Sequence, residues 1–377
     1  MTLTLPPHHF IDSPATWADC LQALQNVDRF AIDLESNGLF AYREQICLIQ
    51  ISTATDDFII DPLAKLDWTP FGALIEDPTI EKVLHASEYD LILMRREHGW
   101  RLQNMFDTMW AARILGYARI GLASMLGELY GIELDKKFQR ANWCQRPLTY
   151  EQLDYAQADT HFLLRLRDDL EAMLRERGHM EEALETFADQ SNVKMPDIEF
   201  SAESFWSING IRSLKPRQKA LLRDLHIFRN NEAKRRDRPA FKIFSDKTLV
   251  EVASTFPRSH HELKRIRGLT DRVIRRYGRQ LLQIVQKSHQ SPIPQPPKRK
   301  RPPEEVADRY EQLHQWRKEH ARFRGVASDV VLSRETLWDI ARANPHTLVE
   351  LAEINSLGQW RRKTYGEYIL DVLHAKS

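Results

Sequence analysis

Along the first 175 residues the spacing of apolar positions changes period repeatedly, and the changes mark out strands and helices in alternation. Residues up to Leu24 follow a helical period behind Ser13, which suits a helix cap, and Pro14, which suits the first helical position. Three strand-like runs come next, Arg29 to Leu34, Gln45 to Ser52 and Asp57 to Ile60. The breaks between them, Ser36-Asn37-Gly38 and Ala54-Thr55-Asp56, are short and polar, which predicts an antiparallel meander. Beyond Asp61-Pro62, helical and short apolar segments alternate at Phe71 to Glu76, Lys82 to His85, Tyr89 to Glu97 and Asp107 to Leu115. That alternation predicts an α/β domain, a mixed sheet with helices on its faces. Thr149 and Gln152 form a capping box ahead of Leu153, Ala156, Phe162 and Leu163, which recur at helical spacing.

Past about residue 188 the strands stop, and sliding the chain against itself by 88 residues exposes a repeat. Ser245, Thr248, Leu249, Ala253, Pro257, Tyr277 and Gly278 recur as Ser333, Thr336, Leu337, Ala341, Pro345, Tyr365 and Gly366. Leu225, His226, Arg229 and Ala233 recur as Leu313, His314, Arg317 and Ala321. Each copy predicts a long amphipathic helix (Pro216 to Arg235; Glu304 to Phe323) and then shorter helices divided at Pro257 or Pro345. Between the copies, the prolines of Ser288 to Pro303 flank Lys298-Arg299-Lys300-Arg301, an extended linker.

Composition adds a charge asymmetry. Residues 1–200 carry 18 Lys+Arg against 33 Asp+Glu, a net of −15, whereas residues 201–377 carry 36 against 20, a net of +16. An acidic half suits metal ions and a basic half suits a polyanion. The basic residues gather at Arg212, Lys215, Arg217, Lys219 and Arg223, at Lys234 to Arg238, and at Lys264, Arg265, Arg267, Arg275 and Arg276. No apolar run approaches the roughly 20 residues of a membrane span. The N-terminus lacks a signal peptide's basic and apolar regions, and Cys20, Cys47 and Cys144 show no motif, so a reducing compartment, the cytoplasm, is expected.

Asp33 and Glu35 interrupt the first strand. Being two apart, they share a face, and two like charges so placed raise each other's pKa unless a cation or a shared proton offsets the repulsion. A solvated strand edge is the plainer reading of that pair, as helix capping is for Asp90 in the first turn of its helix. Tyr155 and Asp159 lie one turn apart on one face. His85 and His161 read as structural or substrate-lining, Asp107 as a helix cap, and Asp56-Asp57 and Asp168-Asp169 as solvated acids. Phe40, Tyr42 and Trp143 are either base-stacking or core aromatics. There is no zinc spacing, phosphate-cradling glycine loop or nucleophile elbow.

Asp33-x-Glu35, Asp90 and Tyr155-x-x-x-Asp159 resemble, in order, the three motifs of the DEDDy class of exonucleases. Their flanks, among them Cys47 to Ser52, Phe106-Asp107-Thr108 and Arg146-Pro147-Leu148, are similar to those of the ribonuclease D family. One departure is Asn142-Trp143, where that family commonly has Asp-Trp. Both tail copies resemble the HRDC domain; the first keeps Gly268-Leu269, and the second has Ser356 in place of the glycine. The resemblance implies an RNase H-like exonuclease domain at residues 1–190, HRDC domains at 205–289 and 304–377, and a linker at 290–303. It implies Asp33, Glu35, Asp90 and Asp159 as ligands of two divalent ions, Mg²⁺ or Mn²⁺, with Tyr155 orienting the attacking water. The expected activity is 3′-5′ trimming of structured RNA such as tRNA precursors, releasing 5′-mononucleotides, by a monomer with no membrane partner. A DNA exonuclease and a non-catalytic nucleic-acid-binding protein are the alternatives.

Overall fold

In the computed structural model, which describes residues 5–197, 199–297 and 301–374, the first half folds around a six-stranded sheet in the order β1-β4-β3-β2-β5-β6. The strands are β1 (His9–Ile11), β2 (Arg29–Ser36), β3 (Ile46–Ser52), β4 (Asp57–Ile60), β5 (Glu81–Leu84) and β6 (Met105–Asp107). β2, β3 and β4 are antiparallel neighbours, as predicted, although the β2–β3 connection is the longer segment 37–45 and only the β3–β4 turn is short, whereas β5 and β6 join in parallel beside β2. Eight helices accompany the sheet: α1 (Pro14–Gln25), α2 (Thr69–Glu76), α3 (Glu88–His98), α4 (Thr108–Ile114), α5 (Leu122–Tyr130), α6 (Tyr150–His161), α7 (Leu163–Glu176) and α8 (Met180–Ser191). Ser13 caps α1 and Thr149 caps α6, each in a capping box.

Alternation sorts the strand residues between two layers. Phe30, Ile32 and Leu34 join Ile49, Ile51 and Ile60 in the main core, while Leu48 and Ile59 pack with Trp143, Leu153 and Ala156 under α6. Lys82 is the surprise in β5. Fully buried, it donates to the carbonyls of Asp77 at 2.6 Å and Ile80 at 2.8 Å beyond the end of α2, and burial pulls its pKa down to about 8.

The two repeats fold alike. The first comprises α9 (Pro216–Arg235), α10 (Ala240–Ile243), α11 (Asp246–Thr255), α12 (His260–Leu263) and α13 (Asp271–Ser288). The second comprises α14 (Glu304–Arg324), α15 (Ser328–Val331), α16 (Arg334–Ala343), α17 (Leu348–Ala352) and α18 (Gln359–His374). The repeated residues explain why. Ser245 and Ser333 cap α11 and α16, and Arg229 and Arg317 donate to the carbonyls of Phe244 and Leu332, themselves 88 residues apart. Gly268 adopts a φ of +91°, and a Cβ there would meet Thr248 Oγ1 at 2.3 Å, so the first copy requires the glycine. Lys298, Arg299 and Lys300 of the basic tetrad lie outside the described residues.

The described residues fall into two compact units that do not follow the repeat. One unit holds residues 37–45, 196–197 and 199–297. In it the Tyr42 hydroxyl donates to Asn230 at 2.8 Å, and Lys242 sits 4.1 Å above the Phe40 ring, so these two aromatics pack against the first repeat. The other unit holds residues 5–36, 46–195 and 301–374. There the second repeat is built onto the nuclease, with Val330 inside the main core and the Glu185 carboxylate accepting from the backbone N–H groups of Trp360 and Arg361 at the start of α18. Among the described residues no helix is long and apolar enough to cross a membrane.

Candidate active site

Asp33 stands opposite Gln50 and Glu35 opposite Leu48 across the β2–β3 ladder, so both acids project from the face that α6 covers. A bulge after Glu35 ends the regular pairing. Because β5 runs parallel to β2, the turn leaving β5 starts α3 at the same end of the sheet, and Asp90 falls buried in the first turn. That turn is shaped by Asp107. Its carboxylate accepts from Ala86 N, held in the left-handed region at φ 61°, and from Ser87 N, and also caps α4 through Met109 N and Trp110 N. The expected cap at Asp107 is present and also holds the approach to Asp90.

The five residues act on one another's protonation and so share one site. Burial, and then Asp33, Asp159 and Asp90 in that order, push the Glu35 carboxyl up to about 10. Burial raises Asp33 to about 7 against the opposing Leu34 N–H. Asp90 and Asp159 stand well above the carboxylate range, from burial first and the Asp33 charge second. Burial followed by Asp159, Glu35 and Asp33 raises the Tyr155 phenol, which therefore stays protonated at neutral pH. Among the described residues no three His, Cys, Asp or Glu side chains form a ready-made metal cage. The donor set nonetheless suits hard cations, since carboxylates that resist ionising beside one another are those a divalent ion would relieve.

Sequence reasoning missed what holds α6. Asp57, read as solvated, is 4% exposed. It accepts from Gln157 Nε2 at 2.6 Å and pairs with His161 Nδ1 at 2.7 Å, residues that flank Asp159 on either side. Burial alone would raise Asp57, but hydrogen bonds, from His161 foremost and from Gln157, outweigh it and hold the carboxyl below its usual range. Ser52 Oγ donates to Thr160 Oγ1 at 2.8 Å, a further tie. His161 is thus structural, as is His85, which pairs with Thr108 at 2.9 Å. Asp168 and Asp169 are also engaged, by Arg29 and by the Tyr130 hydroxyl. The signal for Asp57 is visible only with the fold, because its partners lie 100 and 104 residues away.

The Tyr155 ring is set by Phe138 and Trp143, each with its centroid 5.9 Å away. Trp143 is fully buried, a core aromatic. Arg146 pins this loop, donating to both Asp61 oxygens at 2.7 and 2.6 Å, to Cys47 O and to Trp143 O. Cys47 and Cys144 are joined in a disulfide with Cα atoms 4.9 Å apart, which departs from the reduced thiols expected from the sequence. Their separation of 97 residues hid the pair, because only the docking of this loop on β3 brings the thiols together. A cavity of about 450 Å³ lined by Leu134, Phe138, Glu151, Asp154, Tyr155 and Asp159 adjoins the site.

Carboxylates gathered at the end of a mixed sheet, with a tyrosine one turn from the last, define a 3′-5′ exonuclease domain, and the profile of that domain family matches residues 8–175. The HRDC domain profile matches twice, at 218–285 and 306–373. The chain is 33% identical to ribonuclease D of Cronobacter turicensis, covering 72% of this chain and 74% of that protein. It is 29% identical to ribonuclease D of Pseudomonas paraeruginosa over 100% of both chains. The crystal structure of Escherichia coli RNase D superposes with a TM-score of 0.68 at 26% identity, covering 98% of this chain and 99% of that one. The chain belongs to the ribonuclease D family. It is a 3′-5′ exoribonuclease, and exonucleases of this kind depend on divalent metal ions.

Proposed function

We propose that the enzyme trims the 3′ ends of structured RNA, such as tRNA precursors, releasing 5′-mononucleotides, with Asp33, Glu35, Asp90 and Asp159 holding two divalent ions. The observation that carries this reading is the raised proton affinity shared by the four carboxylates, with Asp33 acting on each of the other three. Oxygen donors alone suit Mg²⁺ or Mn²⁺. Bound there, such ions supply a hydroxide at neutral pH and offset charge on the attacking and leaving oxygens. The chain's residues do the rest. Tyr155, protonated and wedged between Phe138 and Trp143, hydrogen-bonds the attacking water and fixes its direction. The buried Asp57 keeps α6 from rotating, so that Tyr155 and Asp159 stay in register with β2.

RNA binding draws on the exposed Lys264, Arg265, Arg267, Arg275 and Arg276 of the first HRDC copy. Other basic residues are already spent on structure: Arg217 and Arg223 bond backbone carbonyls, and Arg235 and Arg236 share Glu232. We read the domains as 1–190, 205–289 and 304–377, joined by a linker at 290–303, in a protein that acts as a cytoplasmic monomer.

The test incubates the full-length protein with a 3′-extended tRNA precursor and with matched single-stranded DNA, in Mg²⁺, Mn²⁺ or EDTA, beside Asp33→Ala. RNA should shorten to 5′-mononucleotides only with metal and only with Asp33 present. Activity surviving in EDTA or in the alanine variant overturns the metal site, and faster loss of DNA overturns the substrate.

A further inference from the structure

Gln50 lies at the middle of β3, fully buried, and directly opposite Asp33. Opposed residues of an antiparallel pair share a face, with Cβ atoms about 4.5–5.5 Å apart. The Gln50 amide and the Asp33 carboxyl therefore occupy the same side of the sheet, beneath α6. On its other flank Gln50 faces Ile59, which offers nothing polar. Among the described residues neither Nε2 nor Oε1 of Gln50 has a hydrogen-bond partner, and no other side chain there is in that state at two atoms. Polar groups nearby do find partners, Ser52 in Thr160 and Asp57 in Gln157 and His161.

A position that only had to be filled would favour Leu or Met, because an unpaired buried amide keeps its full desolvation cost. An amide left in that state, directly opposite a candidate metal ligand and on the same face of the sheet, is placed to donate to that ligand's carboxylate.

We propose that Gln50 is a positioning residue for Asp33, its Nε2 donating to the carboxylate oxygen turned away from a bound divalent ion and so fixing the rotation of that ligand. The inference rests on Asp33 as a metal ligand. A carboxylate that gives one oxygen to a cation keeps charge on the other, and a neutral donor there forms a charge-assisted bond. Outer-shell partners of this kind typically matter 10- to 100-fold in metal affinity or activity.

The experiment titrates Mn²⁺ into the RNA-free full-length protein by calorimetry, for wild type, Gln50→Met and Asp33→Asn. It also records metal-free melting temperatures and steady-state turnover of RNA. Gln50→Met, similar in volume and without the amide, should melt at or above wild type, bind Mn²⁺ about tenfold more weakly, and lose kcat with KM for RNA unchanged. Wild-type Mn²⁺ affinity and kcat in Gln50→Met overturn the proposal, whatever the melting temperature. Should that variant fail to fold, Gln50→Asn, whose amide is withdrawn by one methylene, must show the same Mn²⁺ deficit or the proposal falls. Asp33→Asn separates the two levels. Retained Mn²⁺ binding there removes the metal site and Gln50's role with it, whereas lost binding beside a normal Gln50→Met removes the Gln50 inference alone.

Discussion

The Arg324 guanidinium donates to both carboxylate oxygens of Glu182, at 2.8 and 2.7 Å, and so fastens the last turn of α14 to α8 of the nuclease. The Glu182 side chain is fully buried and that of Arg324 is 13% exposed, so neither charge has water to fall back on. Removing one partner of a buried pair costs about 3–5 kcal/mol, because the other charge is stranded. Arg324→Met should therefore lower the melting temperature sharply, and Arg324→Met combined with Glu182→Met should recover much of the loss. Chemical unfolding of the single and double variants checks this, and equal instability in the two contradicts it. Truncation at residue 301 should destabilise the nuclease in the same way, since it also strips Val330 from the main core.

That contact shows where the sequence stops being legible. The meander, the caps at Ser13, Thr149 and Asp107, and the 88-residue repeat are local, written in periods and turns that survive without the fold. The candidate metal-site acids could be gathered because their motifs stand in a recognisable order. Glu182 with Arg324, Asp57 with Gln157 and Cys47 with Cys144 are each at or near 100 or more residues apart, and nothing in the local chemistry of either partner names the other. Lys82 hides for a different reason: a lysine in a short apolar run reads as an interruption until the carbonyls beyond α2 are seen around it. The two repeats looked interchangeable because the anchoring Arg324 has Arg236 at the matching position of the first copy; what sets the second apart is Val330 and Arg361, where the first has Lys242 and Val273.

The acid cluster ties metal to stability through pH. In the folded protein Asp33 and Glu35 titrate at about 7 and about 10, above the ordinary carboxylate value of about 4. A folded pKa above the unfolded one gives stability that is complete below the unfolded value and is lost as pH climbs through the folded one. The metal-free protein should lose stability from about pH 4 through 7 and onward toward 10. Divalent ions compete with those protons, so Mg²⁺ should raise the melting temperature more at about pH 8 than at about pH 6. Melting curves across pH in EDTA and in Mg²⁺ check both, and Asp33→Asn should flatten the metal-free slope.

Asp57 makes a separable prediction, because it grips α6 from a buried position. Asp57→Asn loses an anionic acceptor for Gln157 and His161, and a buried hydrogen bond to a charged group contributes about 1.5–3 kcal/mol. The variant should melt lower and turn over more slowly, because α6 carries Tyr155 and Asp159. Asp56→Asn, at the half-buried neighbour whose carboxylate meets His9 and Thr55 rather than α6, should do neither. A destabilised Asp57→Asn that keeps wild-type kcat would show that the helix is held in place by its apolar face alone.

Tyr155→Phe isolates the hydroxyl. The ring stays between Phe138 and Trp143, so packing and fold are kept and only the hydroxyl proposed to aim the water is removed. Positioned proton-sharing groups are worth about 10²–10⁴-fold, and loss of the water's direction should cost kcat at the lower end of that range while KM for RNA holds. The phenol's pKa is raised, so it is protonated throughout the working range, and the shape of the pH–rate profile should be the same in wild type and Tyr155→Phe. Steady-state kinetics from about pH 6 to 9 decides it: a limb of the profile that disappears with the hydroxyl would make Tyr155 the general base, and an unchanged shape at lower height leaves it the group that aims the water.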